Sequence, residues 1–240
     1  MIETTPATGW YIFGVVPSDA APAAGTYLVE RGPLAAVAAE VSLAEFGEDV
    51  LPERLNDRAW LEEKVRVHEG VLQSFVGVAP VVPLRFGVIY RDMADIRRLL
   101  AERGERFEVV LERVSGRVEL GVKAWFDPTH VRRATAGSGR EYLQRRRDEL
   151  ASLRDAATVA SEAHARLAAA ADAAVVNRPH PRELTGRDEQ MLLNGAYLVP
   201  DGDERFSAEV ARLAEEHADA GITFELTGPW PPYNFAEDDA

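Results

Sequence analysis

A chain of 240 residues that is 46% hydrophobic and 28% charged can bury ordinary cores, and its length suits two domains of about 100 to 120 residues each. The formal net charge of −13 argues against binding along phosphate backbones or to anionic lipid, which both need positive faces. The absence of cysteine excludes a disulfide framework, a thiolate zinc site, an iron–sulfur cluster and a cysteine nucleophile, and fits a reducing, cytoplasmic setting.

Residues 1–6 carry no basic region and no long apolar stretch, so they do not read as a secretory signal. Residues 9–16 (GWYIFGVV) are a dense β-branched and aromatic run and predict a buried strand. Residues 17–25 predict a Pro/Ala-rich loop, and residues 26–30 a second strand. Arg31-Gly32-Pro33 turns that strand into a third over residues 34–41. Asp57 is placed to cap a helix to about Phe75, with Leu61, Val65, His68 and Leu72 on one face. The uncharged stretch 71–84 is interrupted by Gln73, Pro80 and Pro83 and is too short to span hydrocarbon. Residues 80–86 predict an apolar strand. Pro83 cannot donate to a ladder, so this strand belongs at an edge or a bulge. Arg85 is then a lone charge among apolar neighbours, needing a partner carboxylate or carbonyl from this chain or from another protein. Asp92 or Asp95 opens a helix through Ile96, Leu100, Phe107 and Val114, with Gly104 placed to kink or divide it.

Ser115-Gly116 marks a boundary, and residues 117–126 alternate as a strand. Residues 136–139 (AGSG) read as a flexible joint. Residues 140–175 hold no Pro or Gly and predict a helix roughly 50 Å long at ~1.5 Å per residue, more than one small sheet can cover. Leu143, Arg146, Leu150, Leu153, Ala157, Ala160, His164, Leu167, Ala171 and Ala174 form a heptad stripe of mostly small residues. After a Pro-rich turn at 178–181, residues 182–184 predict a short strand and residues 191–199 a clearer one. Asp203 caps a helix to Ala220, Gly221 stops it, and residues 222–227 form the last strand. The predicted fold class is α+β in two domains. Residues 1–116 form an N-terminal α/β sandwich. Residues 117–228 form a C-terminal ferredoxin-like half (βαββαβ) with a long protruding helix at about 140–175, and residues 229–240 a Pro/aromatic tail.

The residues offer no chemistry. The five histidines form no His-Glu-x-x-His pattern, and no Walker loop, dinucleotide fingerprint or nucleophile elbow occurs. Glu62-Glu63, Glu215-Glu216 and Asp238-Asp239 are sequence neighbours, which diverge on a helix and make no proton-sharing pair. Arg145, Arg146 and Arg147, with Arg140 and Arg154, interleave with acids. They read as a solvated helix face, with an acidic partner surface as the sharper alternative. Trp125 and Phe126 could stack on RNA bases, but the basic face such a sheet needs is missing. The segment 228–235 (GPWPPYNF) holds three prolines that keep it extended. Its aromatics pack as a strap on their own domain or enter a partner's groove. No catalytic, cofactor-binding or metal-binding residue is expected.

Residues 10–16, 81–87 (VVPLRFG), 116–126 (GRVELGVKAWF), 191–200 (MLLNGAYLVP) and 222–235 (ITFELTGPWPPYNF) together resemble the gas vesicle protein F/L family (GvpF/GvpL), in that family's order over nearly the whole chain. Val88 departs from it, standing where many relatives carry threonine, which bears on any hydroxyl-mediated role there. The resemblance implies a two-domain α+β protein with ferredoxin-like halves. It implies a non-enzymatic assembly factor or minor structural component of gas vesicles, placed at the vesicle and in the cytoplasm. The expected partners are the hydrophobic shell protein and other accessory proteins, with no cofactor, nucleic acid or membrane. Apolar and aromatic content at predicted edges nominates the contact residues: Trp10, Tyr11 and Phe13 on the first sheet, Leu84, Arg85 and Phe86 on the edge strand, and Trp230, Tyr233 and Phe235 in the tail. A ferredoxin-like module that binds a ligand or RNA and regulates expression is the alternative.

Overall fold

The structure, a computed structural model, describes residues 7–127, 129 and 139–236, and of residues 139–146, 148 and 149 the backbone alone. His130, the expected joint at 136–138, the side chains of Arg140, Leu143, Arg145 and Arg146, and the pair Asp238-Asp239 lie outside the described residues. The chain divides into two compact units. One runs to Val118 and resumes at Trp230; the other covers Glu119–Pro229.

The first unit opens with β1 (Thr8–Pro17), β2 (Tyr27–Arg31) and β3 (Leu34–Ser42). Gly32, at φ +59°, makes the tight β2–β3 turn that a Cβ would strain. β1 and β3 pair antiparallel along their lengths, and the register slips by one residue between Ile12 and Gly14, a bulge at Phe13. Tyr11, Gly14 and Val16 consequently share one face with Ala39, Val37 and Ala35, while Ile12 and Val15 share the other with Ala38 and Ala36. The short helices α1 (Leu43–Phe46) and α2 (Leu51–Arg54) lead to α3 (Arg58–Gln73). The Asp57 carboxylate accepts from the amides of Ala59 and Trp60 at its start, a cap worth about 1 kcal/mol. α3 packs Trp60 and Leu72 on the Tyr11 face. α4 (Met93–Glu102) and α5 (Gly104–Val114) also pack against this sheet, with Ile96, Leu100, Phe107 and Val110 buried. A strand covered on both faces reads as a continuous apolar run, and β1 does.

The expected strand at 80–86 lies at the sheet edge, as Pro83 requires, but its laddered part is shorter than expected. Only β4 (Val82–Pro83) pairs with β1, at Gly14 and Val15. The Leu84 amide donates to the Phe13 carbonyl, the chain then leaves the ladder, and it returns where Val88 O accepts from the Ile12 amide. β5 (Ile89–Tyr90) continues the pairing at Tyr11 and Trp10. Residues 82–90 are thus one interrupted edge strand, and Gly87, at φ +86°, serves the excursion. The sheet order is β2-β3-β1-β4, with β5 also on β1.

The second unit is a four-stranded sheet in the order β7-β8-β6-β9, built from β6 (Arg117–Phe126), β7 (Ala173–Val176), β8 (Gln190–Pro200) and β9 (Ile222–Trp230). Its helices are α6 (Gly139–Ala169), the short α7 (Arg182–Thr185) and α8 (Glu204–His217). The unit corrects three expectations. The long helix ends at Ala169, because Asp172 N–H bonds Leu198 O and residues 173–176 pair with β8. The expected strand at 182–184 is α7, begun after Pro181 and closed by Gly186 at φ +65°. The buried stripe of α6 is Ala156, Ala160, Ala163 and Leu167, while Ala157 is exposed. The single-turn α9 (Tyr233–Ala236) follows β9 and packs with the first unit on α5 and β4. No helix among the described residues is long and apolar enough to cross a membrane.

Candidate functional site

In the first unit the bulge and α3 gather Tyr11, Phe13, Phe46, Trp60, His68 and Phe86 into one ring cluster. Its centroid distances run from 4.8 Å for Tyr11–Phe13 to 6.4 Å for Trp60–Phe86. Inside it, Tyr11 Oη lies 2.9 Å from His68 Nδ1 and accepts from the Gly87 amide at 3.1 Å. Burial favours the neutral imidazole, whose ring also hydrogen-bonds the Leu84 backbone; with that ring proton on Nε2, Nδ1 accepts from the Tyr11 hydroxyl. Burial pushes His68 below its ordinary value and Tyr11 up to about 12. The pair thus clamps the VPLRFG excursion at Leu84 and at Gly87.

The clamp separates the nominated residues. Tyr11 and Phe13 are only 3% and 5% exposed. Their rings face the protein's own core, because α3 covers the face the sequence left open. Trp10 is half-buried and meets the exposed Tyr27 edge-on at 5.9 Å. Leu84 and Phe86 are half-buried and Arg85 is exposed on the excursion. In the tail, Trp230 is 46% exposed, while Phe235 is buried at 4%. The half-buried Tyr233 donates to Glu69 Oε1 at 2.7 Å, and the Arg113 guanidinium donates to the Phe235 carbonyl. The segment from Pro231 therefore lies on the first unit as a strap. The structure brings Tyr11, Phe13 and Phe86 together in the ring cluster. It adds Tyr27, whose place in a short strand gave no signal.

A groove of about 570 Å³ opens beside the excursion, lined among others by Leu84 and Arg85 and by Leu99, Arg103, Arg106 and Phe107 of α4–α5. Arg103 and Arg106 were missed, since nothing local in the sequence places them in one groove with Arg85.

The second unit repeats a tyrosine–histidine pair. Tyr197 of β8 lies 2.9 Å from His164 Nδ1 of α6, and burial raises the phenol's pKa. Trp125 donates to Glu225 at 3.1 Å and is stacked at 4.3 Å by Arg187, which pairs with the same carboxylate at 3.2 Å. With Phe126 buried as well, the aromatics an RNA-binding face requires are closed off. Among the described residues no three His, Asp or Glu are grouped to hold a metal ion.

A family model described as gas vesicle synthesis protein GvpL/GvpF matches residues 9–237. The chain belongs to the GvpL/GvpF family. Gas vesicle protein L of Streptomyces sp. (strain CB03234) is 36% identical over 240 residues, covering 93% of this chain and 88% of that protein. Gas vesicle protein F2 of Halobacterium salinarum is 27% identical, covering 88% of this chain and 80% of that one. The crystal structure of GvpF from Anabaena sp. PCC7120 matches with a TM-score of 0.70 at 19% identity, over 97% of this chain and 98% of that chain. GvpF from Microcystis aeruginosa gives 0.68 at 18%, over 95% and 99%. At that identity the likeness establishes a shared α+β fold. Membership of the GvpL/GvpF family makes the chain a gas vesicle accessory protein. In this member the VPLRFG stretch has a structural reason: it is the excursion that the Tyr11–His68 pair clamps.

Proposed function

We propose that this GvpL/GvpF chain is a non-enzymatic assembly factor or minor structural component that binds the hydrophobic shell protein by direct contact, at the vesicle and in the cytoplasm. The observation that carries the proposal is family membership over residues 9–237, joined to partly exposed aromatic surface on the first sheet. Trp10 and Tyr27 form that surface, with Trp230 as a further anchor at the end of β9. Aromatic rings only partly covered by their own chain favour association with apolar protein. The net charge of −13 would keep such a complex dispersed. The second unit's strand order, reached through α6 and α8 as crossovers, supports reading it as ferredoxin-like.

The test is capture of purified shell protein by the wild type and by a Trp10→Asp, Tyr27→Asp double variant whose unfolding midpoint is first shown to be near wild type. Capture should fall at least tenfold. Undiminished capture by the folded variant removes this surface from the account. Phe13→Asp is unsuitable, since it buries a charge in the ring cluster.

A further inference from the structure

Residues 178–182 of the second unit read Arg-Pro-His-Pro-Arg. Proline fixes its own φ, and the residue before a proline is held to extended backbone. The segment is therefore stiff and extended, with Pro181 at φ −68° and ψ 156°. It is also tied down on both sides. The Asn177 amide continues the β7 pairing to Asn194 O at 2.8 Å, and the His180 amide donates to Met191 Sδ at 3.3 Å. Beyond α7, Arg187 pairs with Glu225 and stacks on Trp125.

A groove of about 800 Å³ opens along this segment. Its lining includes Arg178, His180 and Arg182, with Leu184 and Met191, and no Asp or Glu among the described residues. Glu183, Asp188 and Glu189 follow the segment in sequence but stay out of the lining. Among the described residues no carboxylate pairs with Arg178 or Arg182. Leu184 is 76% exposed, and Val176, at the end of β7, is 53% exposed. We propose that this groove receives an acidic, partly aliphatic segment of a partner polypeptide.

Charge selects the occupant. Two guanidinium groups offer carboxylates a planar, two-pronged pairing that an ammonium cannot. Leu184 and Met191 give the same groove an apolar part, so the fit is to acidic side chains flanked by aliphatic ones. Pro179 and Pro181 have no amide to give a neighbouring chain, so recognition falls to the side chains. The segment is ordered before any partner arrives, which lowers the entropy cost of binding. A long polyanion such as RNA is disfavoured by the field of a chain at −13. The proposal goes beyond the shell-protein contact: it concerns the second unit and a partner recognised by its carboxylates.

The test is fluorescence anisotropy on the full chain with a labelled amphipathic peptide carrying Glu and Leu on one face, beside the same peptide with Gln for Glu. At about 0.15 M salt, charges more than about 8 Å apart are screened, so the signal reports the groove and not the chain's overall charge. The Glu peptide should bind, the Gln peptide at least tenfold more weakly. Arg178→Glu with Arg182→Glu should lose at least tenfold with no change in the unfolding midpoint, both residues being exposed. The Trp10→Asp, Tyr27→Asp variant should bind the Glu peptide as the wild type does. Equal binding of the two peptides, or tighter binding of a single-stranded RNA of equal charge, overturns the proposal. So does undiminished binding by the double arginine variant, or lost binding in the folded Trp10, Tyr27 variant. Shell-protein capture without peptide binding sinks the groove and leaves the contact role standing; the reverse result does the opposite.

Discussion

Tyr11 of β1 and His68 of α3 meet at 2.9 Å, and that bond joins a sheet, a helix and a loop at one buried point. The loop is tied through Gly87 and Leu84, so the side chains on either side of Arg85 depend on a hydrogen bond within the core. Tyr197 and His164 repeat the pairing in the second unit.

Acid should loosen the first unit through His68. Burial depresses its folded pKa, so below about 6.5 the unfolded chain takes up a proton that the native one refuses. The stability present above that pH is lost as pH falls through the window below it. Urea midpoints between pH 7 and 5 should decline in wild type and flatten in His68→Phe; parallel slopes would assign the effect to other groups.

Alkali acts through Tyr11 with the opposite sign. Its folded pKa is about 12 against 10 for an exposed phenol, so stability falls as pH rises from 10 towards 12. Two units correspond to about 3 kcal/mol. Tyr11→Phe should remove that dependence. It should also cost about 1–3 kcal/mol at neutral pH for each group left unpaired, Gly87 N–H and His68 Nδ1. Denaturant titrations at pH 7 and pH 10.5 measure both.

Gly14→Ala should be strongly destabilising. A Cβ there would stand 2.7 Å from the Val82 carbonyl oxygen, and 3.0 Å from Leu72 Cδ2. Backbone must move at the β1–β4 pairing, and about 1–3 kcal/mol of overpacking cost is expected. A variant within 0.5 kcal/mol of wild type, a threshold set roughly by surface changes, would mean that β4 is free to shift.

Two leucines on α6 should behave differently. Leu167→Ala empties a site with no exposure and should cost about 2–5 kcal/mol. Leu150→Ala, at a position 46% exposed, should cost under about 0.5 kcal/mol. Equal losses in thermal unfolding would mean that the N-terminal half of α6 is covered after all.

The two ends of the GPWPPYNF segment should also diverge. Phe235→Ala should cost about 3–5 kcal/mol as a buried ring. Trp230→Ala should leave stability within about 1 kcal/mol and reduce shell-protein capture. Calorimetry and capture together tell an internal strap from an outward anchor.

Long elements with a clear period were legible in the residues. β1, β3, β6, α3 and α8 each sit within a residue or two of expectation apart from α8's short 3-10 extension, because alternating or helical patterns and the caps Asp57 and Asp203 are local signals. The failures share a cause in distant chain. Ala173–Val176 is alanine-rich and continues a helical composition, and only its pairing with β8 makes it a strand. Residues 80–86 are apolar because Val81 and Val82 are buried in the core, while the ladder with β1 runs through only part of the stretch. Pro181 ahead of Arg182–Thr185 and Gly186 behind it are a local helix signature that outweighs the strand expected there. Of the nominated contacts, Tyr11, Phe13 and Phe235 look like sticky surface in one dimension and are interior in three, since α3 covers the first two and the strap folds the third onto α5 and β4.

The interruption of residues 82–90 has a consequence for neighbours. An unbroken edge strand exposes a row of free amides and carbonyls on which another chain can add a strand. Here β1 spends its outer hydrogen bonds on β4, Leu84, Val88 and β5, and the chain between them steps out of plane. A visiting strand finds no continuous rail on that side of the first sheet, which leaves β2 as the edge of that sheet open to such addition.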